Sequence, residues 1–256
     1  HQYAKRVIGE NLMATAPRGK AQLPVNFQEQ LAREASEIAK RISAPTGDRI
    51  RFNSNRSLIT PDGSEGEMLE VVVVDFVSAN LFYDGPFDRD SPQPPSCFAM
   101  GNEPSMLVPS KNSPATQSTS CAACPNNQFG SAPNGKGKAC KNTRLIAVIP
   151  VTALDDPSIE APIWIMSVPP TSLKAFDSYV HTLSAKHKTI PLGVVTEITL
   201  DQSVTFAAPR FNVVRPLTGD EIGVFMPRRE EAAQRLATEP DVSQYTPPKP
   251  AARGRR

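Results

Sequence analysis

Residues 69–83 read LEVVVVDFVSANLFY and carry the strongest strand signal in the chain. β-Branched and aromatic residues dominate this run, and both classes are enriched in strands because they pack well on a pleated surface. Further along the chain, apolar runs at 144–151, 162–168, 194–200 and 206–214 predict four more strands. An amphipathic pattern between the third and fourth strands predicts a helix.

The order strand, strand, strand, helix, strand, strand is that of an OB-fold, a five-stranded and partly open barrel. The sequence therefore predicts a mainly β fold with helices (α+β), in which residues 69–215 form an OB-fold-like five-stranded barrel. In that fold a ligand lies across the second and third strands. The loop joining strands one and two and the loop joining strands four and five grip it. Here those loops are residues 94–144 and residues 201–205.

The remaining segments are expected to surround this barrel. Residues 1–24 are polar and basic, which predicts a flexible leader or an arm that docks on a partner. Residues 25–68 contain an amphipathic helix at 27–43 and short strands that pack on the barrel. Residues 216–237 predict a C-terminal helix. Residues 238–256 are rich in proline and basic residues, which predicts a disordered tail.

Composition excludes several classes of protein. The chain has 256 residues, a net charge of +2 and 39% hydrophobic residues, which suits a globular core but not a uniformly basic nucleic-acid coat. No apolar run approaches the ~18–20 residues that cross a bilayer, and residues 1–20 lack the apolar centre of a secretory signal. We therefore expect a cytoplasmic, reducing location, which favours metal binding over disulfides.

All four cysteines lie within residues 94–144, at the spacing C-x23-C-x2-C-x15-C. They are Cys97, Cys121, Cys124 and Cys140. Four thiolates around Zn²⁺ form a closed structural site, and a C-x2-C pair lets one turn present two sulfurs. The alternatives are unligated or disulfide-forming cysteines, or another metal or redox role. A thioredoxin-type site is disfavoured, because the pair does not stand between a strand and a helix.

A glycine-lysine run at residues 135–138, GKGK, leads into the fourth cysteine. It is not a P-loop, because Ala139 follows where Ser or Thr is required. Glycines let a backbone approach phosphate, and lysines supply positive charge. The alternative is a solvated turn that only offsets the charge of the metal centre. The predicted phosphate contacts are Lys136, Lys138, Lys141 and Arg144.

Aromatic side chains near this loop could stack on nucleic-acid bases. Stacking contributes ~1–3 kcal/mol per base and requires no particular base sequence. Phe87 and Phe98 are further candidates, whereas Phe76 and Phe176 are expected in the core. The preferred stacking platforms are Phe82, Tyr83, Phe129 and Trp164. For each of them, packing within the protein is the competing interpretation.

Enzymatic motifs are absent from the sequence. No Ser-His-Asp, HExxH or paired-carboxylate pattern is found, and His181 and His187 fall on a predicted packing helix. The acidic cluster between Asp84 and Asp90 could bind a cation for a nuclease. However, Pro86 and Pro92 make a turn the simpler interpretation. The sequence therefore predicts a protein that is not an enzyme.

Several segments resemble a group of tailed-phage proteins that are labelled single-stranded DNA-binding. The resemblance covers about residues 69–215, and its most specific part is the cysteine-lysine portion. The segments are FYDGPFD (82–88), PPSCFA (94–99), CAACPNNQFGS (121–131), GKGKACKN (135–142), PTSLK (170–174) and GVVT (193–196).

The resemblance implies a zinc-containing OB-fold that coats single-stranded DNA with little sequence preference during phage replication or recombination. If the chain is viral, its location is the host cytoplasm. Proteins of that broad class commonly end in an acidic tail that recruits other replication proteins, whereas residues 247–256 read PPKPAARGRR. This departure puts the recruiting role in doubt and suggests a tail that contacts nucleic acid or a protein partner. The rival function is a zinc-stabilised interaction protein or transcription cofactor that docks on a polymerase or another partner.

Overall fold

The structure is a computed structural model that describes residues 47–88, 90–158 and 160–248, together with Phe27, Gln30, Leu31 and Glu34. Those four residues are helical and belong to the helix predicted at 27–43. The rest of that helix, the leader at 1–24 and residues 249–256 lie outside the described residues. Contacts divide the chain into two units, His1–Pro45 and Thr46–Arg256, and the following description concerns the second.

Within its described residues, the second unit has nine strands in two antiparallel sheets. The first three strands form a small sheet, and the other six form the main sheet. The strands are β1 (Arg51–Phe52), β2 (Leu58–Ile59), β3 (Glu65–Gly66), β4 (Met68–Phe82), β5 (Cys97–Gly101), β6 (Lys141–Pro150), β7 (Trp164–Val168), β8 (Val194–Leu200) and β9 (Pro209–Pro216).

β4 is the centre of the main sheet, as its apolar, β-branched sequence predicts. β6 pairs along one edge of β4, from Val71 to Leu81. The other edge is shared: β8 pairs with Met68–Val71, and β5 pairs with Ser78–Phe82. The resulting order is β7-β6-β4-β8-β9, with β5 on β4 outside this path. Because no pairing joins β7 to β9 within the described residues, the sheet does not close into a barrel.

The expected mixed α+β class, dominated by sheet, is confirmed. The five predicted strands correspond to β4, β6, β7, β8 and β9, with bounds shifted by up to three residues. β5 was not predicted, because its short sequence CFAMG follows a run rich in proline.

Three helices complete the described part of this unit: α1 (Leu173–His187), α2 (Gly219–Phe225) and α3 (Arg229–Leu236). The predicted C-terminal helix is thus two helices, separated by a 3-10 turn at Met226–Arg228 that contains a proline. Thr218 and Glu221 form a capping box at the start of α2, satisfying two backbone N–H groups that the helix itself cannot.

The centre of the main sheet is buried on both faces, and successive residues of its strands, which point to opposite sides, pack into two apolar clusters. Val71 and Val73 pack with α1 and with Ile50 and Leu58 of the small sheet region. Val72 and its neighbours on the other face pack with α2 and α3.

The predicted core aromatics lie on the α1 side. Phe176 of α1 is fully buried and meets Phe76 and Phe211 edge-to-face at 5.2 and 5.1 Å between ring centroids. Phe76 packs partly buried against the same cluster.

Burial on both faces corrects two predictions about ligand binding. Alternate residues of β7 and of β6 from Leu145 to Ile149 belong to the two apolar clusters, so neither face of this part of the sheet is open to a ligand. Trp164 faces the α1 side and is only 7% exposed, which excludes it as a stacking platform. Its ring contributes to the core instead. In the described part of the chain, no helix is long and apolar enough to cross a membrane.

Candidate metal and nucleic-acid site

Strand pairing places two of the four cysteines at one end of β4. Cys97 pairs directly with Phe82 in the β4–β5 ladder, and Cys140 immediately precedes Lys141, which pairs with Leu81 in the β4–β6 ladder. Directly paired residues of neighbouring strands share a face of the sheet. Cys97 and Cys140 therefore flank the end of β4 from its two sides, although 42 residues separate them in the sequence.

The other two cysteines come from a tight turn that is fixed by backbone and amide hydrogen bonds. The Cys121 N–H donates to the Leu107 carbonyl at 3.0 Å, and the Cys140 N–H donates to the Asn126 carbonyl at 2.8 Å. The Asn127 side-chain amide donates to the Cys121 carbonyl at 2.8 Å. These bonds connect the C-x2-C turn to the preceding loop and to the residue that begins β6.

The four cysteines are all buried, form no disulfide and line one small cavity. Its volume is about 20 Å³, which is the scale of a single small occupant. Four cysteines that line one cavity are not necessarily arranged so that all four sulfurs can bind the same metal ion. Within the described residues, no three His, Cys, Asp or Glu side chains are placed so that they could hold a metal ion as they stand. The donor set and the cavity size fit Zn²⁺, whereas the arrangement of the sulfurs would have to tighten around it.

Burial raises the pKa of two of the thiols, and polar groups beside them act in the opposite direction. Burial raises the pKa of Cys140 to about 12, and the charge of Lys138 acts in the opposite direction. Burial also raises the pKa of Cys121, and a hydrogen bond from the Asn80 side chain partly offsets it. The side-chain amide of Asn142 donates to the side-chain oxygen of Asn80 at 2.6 Å, so that the amide nitrogen of Asn80 is the group left to face the Cys121 sulfur. Sequence reasoning missed this asparagine pair, which β4 and β6 place opposite each other.

An exposed phenylalanine stands beside the glycine-lysine run. Phe129 is 85% exposed, and the next residue, Gly130, donates its N–H to the Gly137 carbonyl at 2.7 Å. Gly130, Gly135 and Gly137 all have positive φ angles, which a residue with a side chain adopts only with strain. This turn therefore holds Phe129 and Lys136 on one projection of the cysteine loop. We call residues 128–138 the knuckle.

The four predicted phosphate contacts have different surroundings. Lys136 and Lys141 are exposed. Lys138 is half-buried and its ammonium donates to the side-chain oxygen of Asn127 at 3.3 Å, so its charge is directed toward the residues that follow the C-x2-C pair. Arg144 is paired with Asp177 of α1 at 3.2 Å, and only 13% of its side chain is exposed. Because Arg144 is paired with Asp177 and mostly buried, it is a poor candidate for phosphate contact.

The aromatic candidates for base stacking also differ in how exposed they are. Phe87 is 83% exposed and Tyr83 is partly exposed, whereas Phe82 lines the cysteine cavity and Phe98 is buried in the core. Burial raises the pKa of Tyr83, and the charge of Arg49 opposes this shift, which places a cation near the ring that the sequence did not indicate.

The second loop expected to grip a ligand, residues 201–205, lies away from the cysteines. β8 runs into it from the end of β4 at Met68, opposite to the end that carries Cys97 and Cys140. The guanidinium of Arg56 donates to the carbonyls of Gln202 and Val204, the latter at 2.7 Å. These bonds fix the loop to the turn between β1 and β2. The candidate site is therefore the cysteine loop alone.

No protein-family model matches the chain, and no curated protein or solved structure matches it significantly.

Proposed function

We propose that this protein binds single-stranded DNA with little sequence preference, through the knuckle of a cysteine loop that a structural Zn²⁺ holds in place. The observation that carries the proposal is Phe129, which is 85% exposed and precedes Gly130, the residue whose N–H donates to the carbonyl of Gly137 in the glycine-lysine run. An exposed ring beside exposed cations is the combination that single-strand binding uses, with bases stacked on the ring and phosphates near the charges.

Zinc would act as a scaffold in this function. Cys97, Cys121, Cys124 and Cys140 would supply four thiolates and leave no open position for a reacting water, so the proposal includes no enzymatic activity. Thiolate ligation requires deprotonation, which the metal itself favours and the positive charge of Lys138 assists. The Asn80 amide would donate to one ligand sulfur from the sheet, as polar groups around metal sites commonly do.

If β4, β6, β7, β8 and β9 are numbered one to five, their order in the main sheet is 3-2-1-4-5, with β5 outside this path. This order also supports the proposal. It is compatible with an OB-fold opened between its third and fifth strands. We infer that DNA does not follow the faces of β7 or of β6 from Leu145 to Ile149, since both faces are covered there. It would instead contact the projecting loop at the end of β4. Roles in replication or recombination and a phage origin belong to this proposal as well, through the resemblance described above.

A titration of labelled oligo-dT and of a matched duplex, each at low and moderate salt, tests the function. We expect preference for the single strand and an affinity that falls with salt, with a slope of about 0.7 per neutralised phosphate. Absence of binding, equal affinity for the duplex, or an affinity that does not change with salt would refute the proposal. Metal analysis of the same preparation should find about one zinc per chain.

The second candidate function is protein binding, as a transcription cofactor or an assembly factor. The observation in its favour is that the same loop exposes two aliphatic side chains, Met106 and Val108, which nucleic acid does not need. A protein that fails the oligo-dT titration but retains its zinc would favour this candidate.

A further inference from the structure

After α3 the chain returns to the cysteine loop and binds to it. The Glu239 carboxylate accepts hydrogen bonds from the Ser110 hydroxyl and the Asn112 side-chain amide, each at 2.6 Å. The bonds from Asn112 and Ser110 hold the pKa of Glu239 below its usual value, so that the carboxylate is charged at neutral pH. Hydrogen bonds to a charged acceptor are stronger than those between neutral groups. The disorder predicted from residue 238 onward stays a prediction for residues 249–256.

A second set of contacts follows within a few residues. The Tyr245 hydroxyl donates to the Asp84 carboxylate. The Thr246 N–H donates to the Gln93 side-chain oxygen at 3.2 Å. We call residues 239–246 the strap. Its first anchor binds to a segment that follows the first cysteine in the sequence, and its second anchor binds to a segment that precedes that cysteine.

The first anchor is connected to the residue that follows Cys97. The Ser110 N–H donates to the Phe98 carbonyl at 2.8 Å, and the Phe98 N–H donates to the Ser113 hydroxyl at 3.0 Å. The segment around Ser110 is therefore hydrogen-bonded to β5, the strand that begins at Cys97. Because Glu239 holds the side chain of Ser110, it braces this strand immediately after the cysteine.

The second anchor is connected to the residue that precedes Cys97. The Asp84 carboxylate that accepts from Tyr245 also accepts from the Ser96 hydroxyl at 2.9 Å. Ser96 is fully buried, so its hydroxyl has little access to water as an alternative partner. The two anchors of the strap therefore converge on Ser96 and Phe98, the two neighbours of Cys97 in the chain.

Two of the other cysteines are held by bonds of a different origin. The Cys121 N–H donates to the Leu107 carbonyl at 3.0 Å, and the Cys140 N–H donates to the Asn126 carbonyl at 2.8 Å. Both acceptors belong to the cysteine loop and not to the strap. A strap that comes loose should therefore free Cys97 before it frees these two cysteines.

We propose that Glu239 and Tyr245 are positioning residues for Cys97, and that the strap clamps this cysteine at the shared cavity so that the loop keeps its metal. Neither residue is a metal ligand. They act through Ser110 and Ser96, whose bonds fix the two neighbours of Cys97. This inference rests on the proposed function, of which the zinc-held loop is a part. The competing role is a general one, in which the strap stabilises the whole fold.

The experiment measures how fast each cysteine of the full chain is alkylated, by pulse labelling with N-ethylmaleimide and mass spectrometry of the peptides. The double variant E239A/Y245F removes both side-chain anchors of the strap. We expect labelling of Cys97 to become about 3- to 10-fold faster, while the labelling rate of Cys140 stays unchanged. The factor is modest because the anchoring bonds are exposed to solvent. Transfer of zinc to a chromogenic chelator should become faster by a similar factor.

Two further variants separate anchoring from other effects of substitution. D241A removes a carboxylate of the same strap that accepts from the Ser243 N–H at 2.9 Å, and should leave every labelling rate unchanged. N112A removes one donor to Glu239 from the loop side, and should accelerate labelling of Cys97 by less than the double variant does. Equal acceleration in D241A would contradict a specific role for the anchors.

Three other outcomes overturn the inference in distinguishable ways. A parent protein without zinc refutes the proposed metal scaffold, and the role of the strap in it. A parent protein with zinc, together with unchanged labelling of Cys97 in the double variant, refutes only the inference. Equal acceleration at all four cysteines, with a lower free energy of unfolding in urea, shows that the strap stabilises the whole fold and does not position Cys97.

Discussion

Replacement of Phe129 by alanine should reduce binding of single-stranded DNA with little effect on the stability of the fold. The side chain is 85% exposed, so only about a seventh of it contacts the protein. Full burial of a phenylalanine stabilises a fold by about 1.5–3 kcal/mol, so F129A should cost below about 0.5 kcal/mol of folding free energy. The same ring should contribute ~1–3 kcal/mol to a stacked base. We therefore expect the Kd for oligo-dT to rise about 5- to 150-fold at constant salt.

The assay is an anisotropy titration of F129A, with urea denaturation to confirm that folding is unchanged. Two matched controls isolate the ring. F129L keeps much of the apolar volume without an aromatic face, and should lose nearly as much affinity as F129A. M106A removes another side chain of the same loop, which is 71% exposed, and should bind normally. If F129L binds like the parent protein, or if M106A is equally impaired, stacking on Phe129 is refuted. The salt slope of F129A should equal that of the parent, because no charge is removed.

Four further outcomes are expected. K136Q should make the salt slope shallower by about 0.7 with little change in stability, and an unchanged slope would remove Lys136 from the phosphate contacts. C140A should retain less than about a tenth of the zinc of the parent protein by metal analysis, and full retention would contradict four-cysteine ligation. F176A should lower the free energy of unfolding by about 3–5 kcal/mol in urea, because the ring is fully buried between two others; a loss under about 1 kcal/mol would contradict the packing described. Hydrogen bonds from Arg215 and then from the Thr218 N–H lower the pKa of Glu221 from 4.5 to about 2, so E221Q should reduce the melting temperature at neutral pH. The difference from the parent protein should shrink as pH falls from about 4.5 toward 2, because the carboxylate becomes protonated there. A difference that persists at pH 2 would contradict the pairing.

The positions of the main strands could be predicted because their apolar runs are long and rich in β-branched residues. The pattern did not show that helices cover both faces of the main sheet. In β7 the residues around Trp164 form a continuous apolar run without alternation, which is the signature of a strand buried on both sides. Trp164 was nevertheless expected to reach a ligand, because the sequence left either face of this strand open to it. The helix α1 covers the face that carries Trp164, and α2 and α3 cover the other face.

The cysteine cluster could be predicted from spacing, whereas its supports could not. The C-x2-C pair and the lysines before Cys140 indicated one site, and the structure places all four cysteines around one cavity. The 23-residue gap after Cys97 carries no recognisable sequence pattern, although hydrogen bonds within the loop, such as Ser110 N–H to the Phe98 carbonyl, hold it. Asn80 on β4 and Glu239, which follows α3, are polar residues without a recognisable motif, and only the fold brings them to the cysteine loop.

The shared end of β4 has a consequence for how metal binding couples to folding. Closing a long loop costs conformational entropy, and an ion that joins distant ligands normally has to offset that cost. In this chain the β4–β5 and β4–β6 ladders already bring the two ends of the loop together, at Phe82–Cys97 and Leu81–Lys141. The free energy of metal binding would then act mainly on the interior of the loop. Chelation should loosen the knuckle and leave the sheet folded, as two separate transitions rather than one.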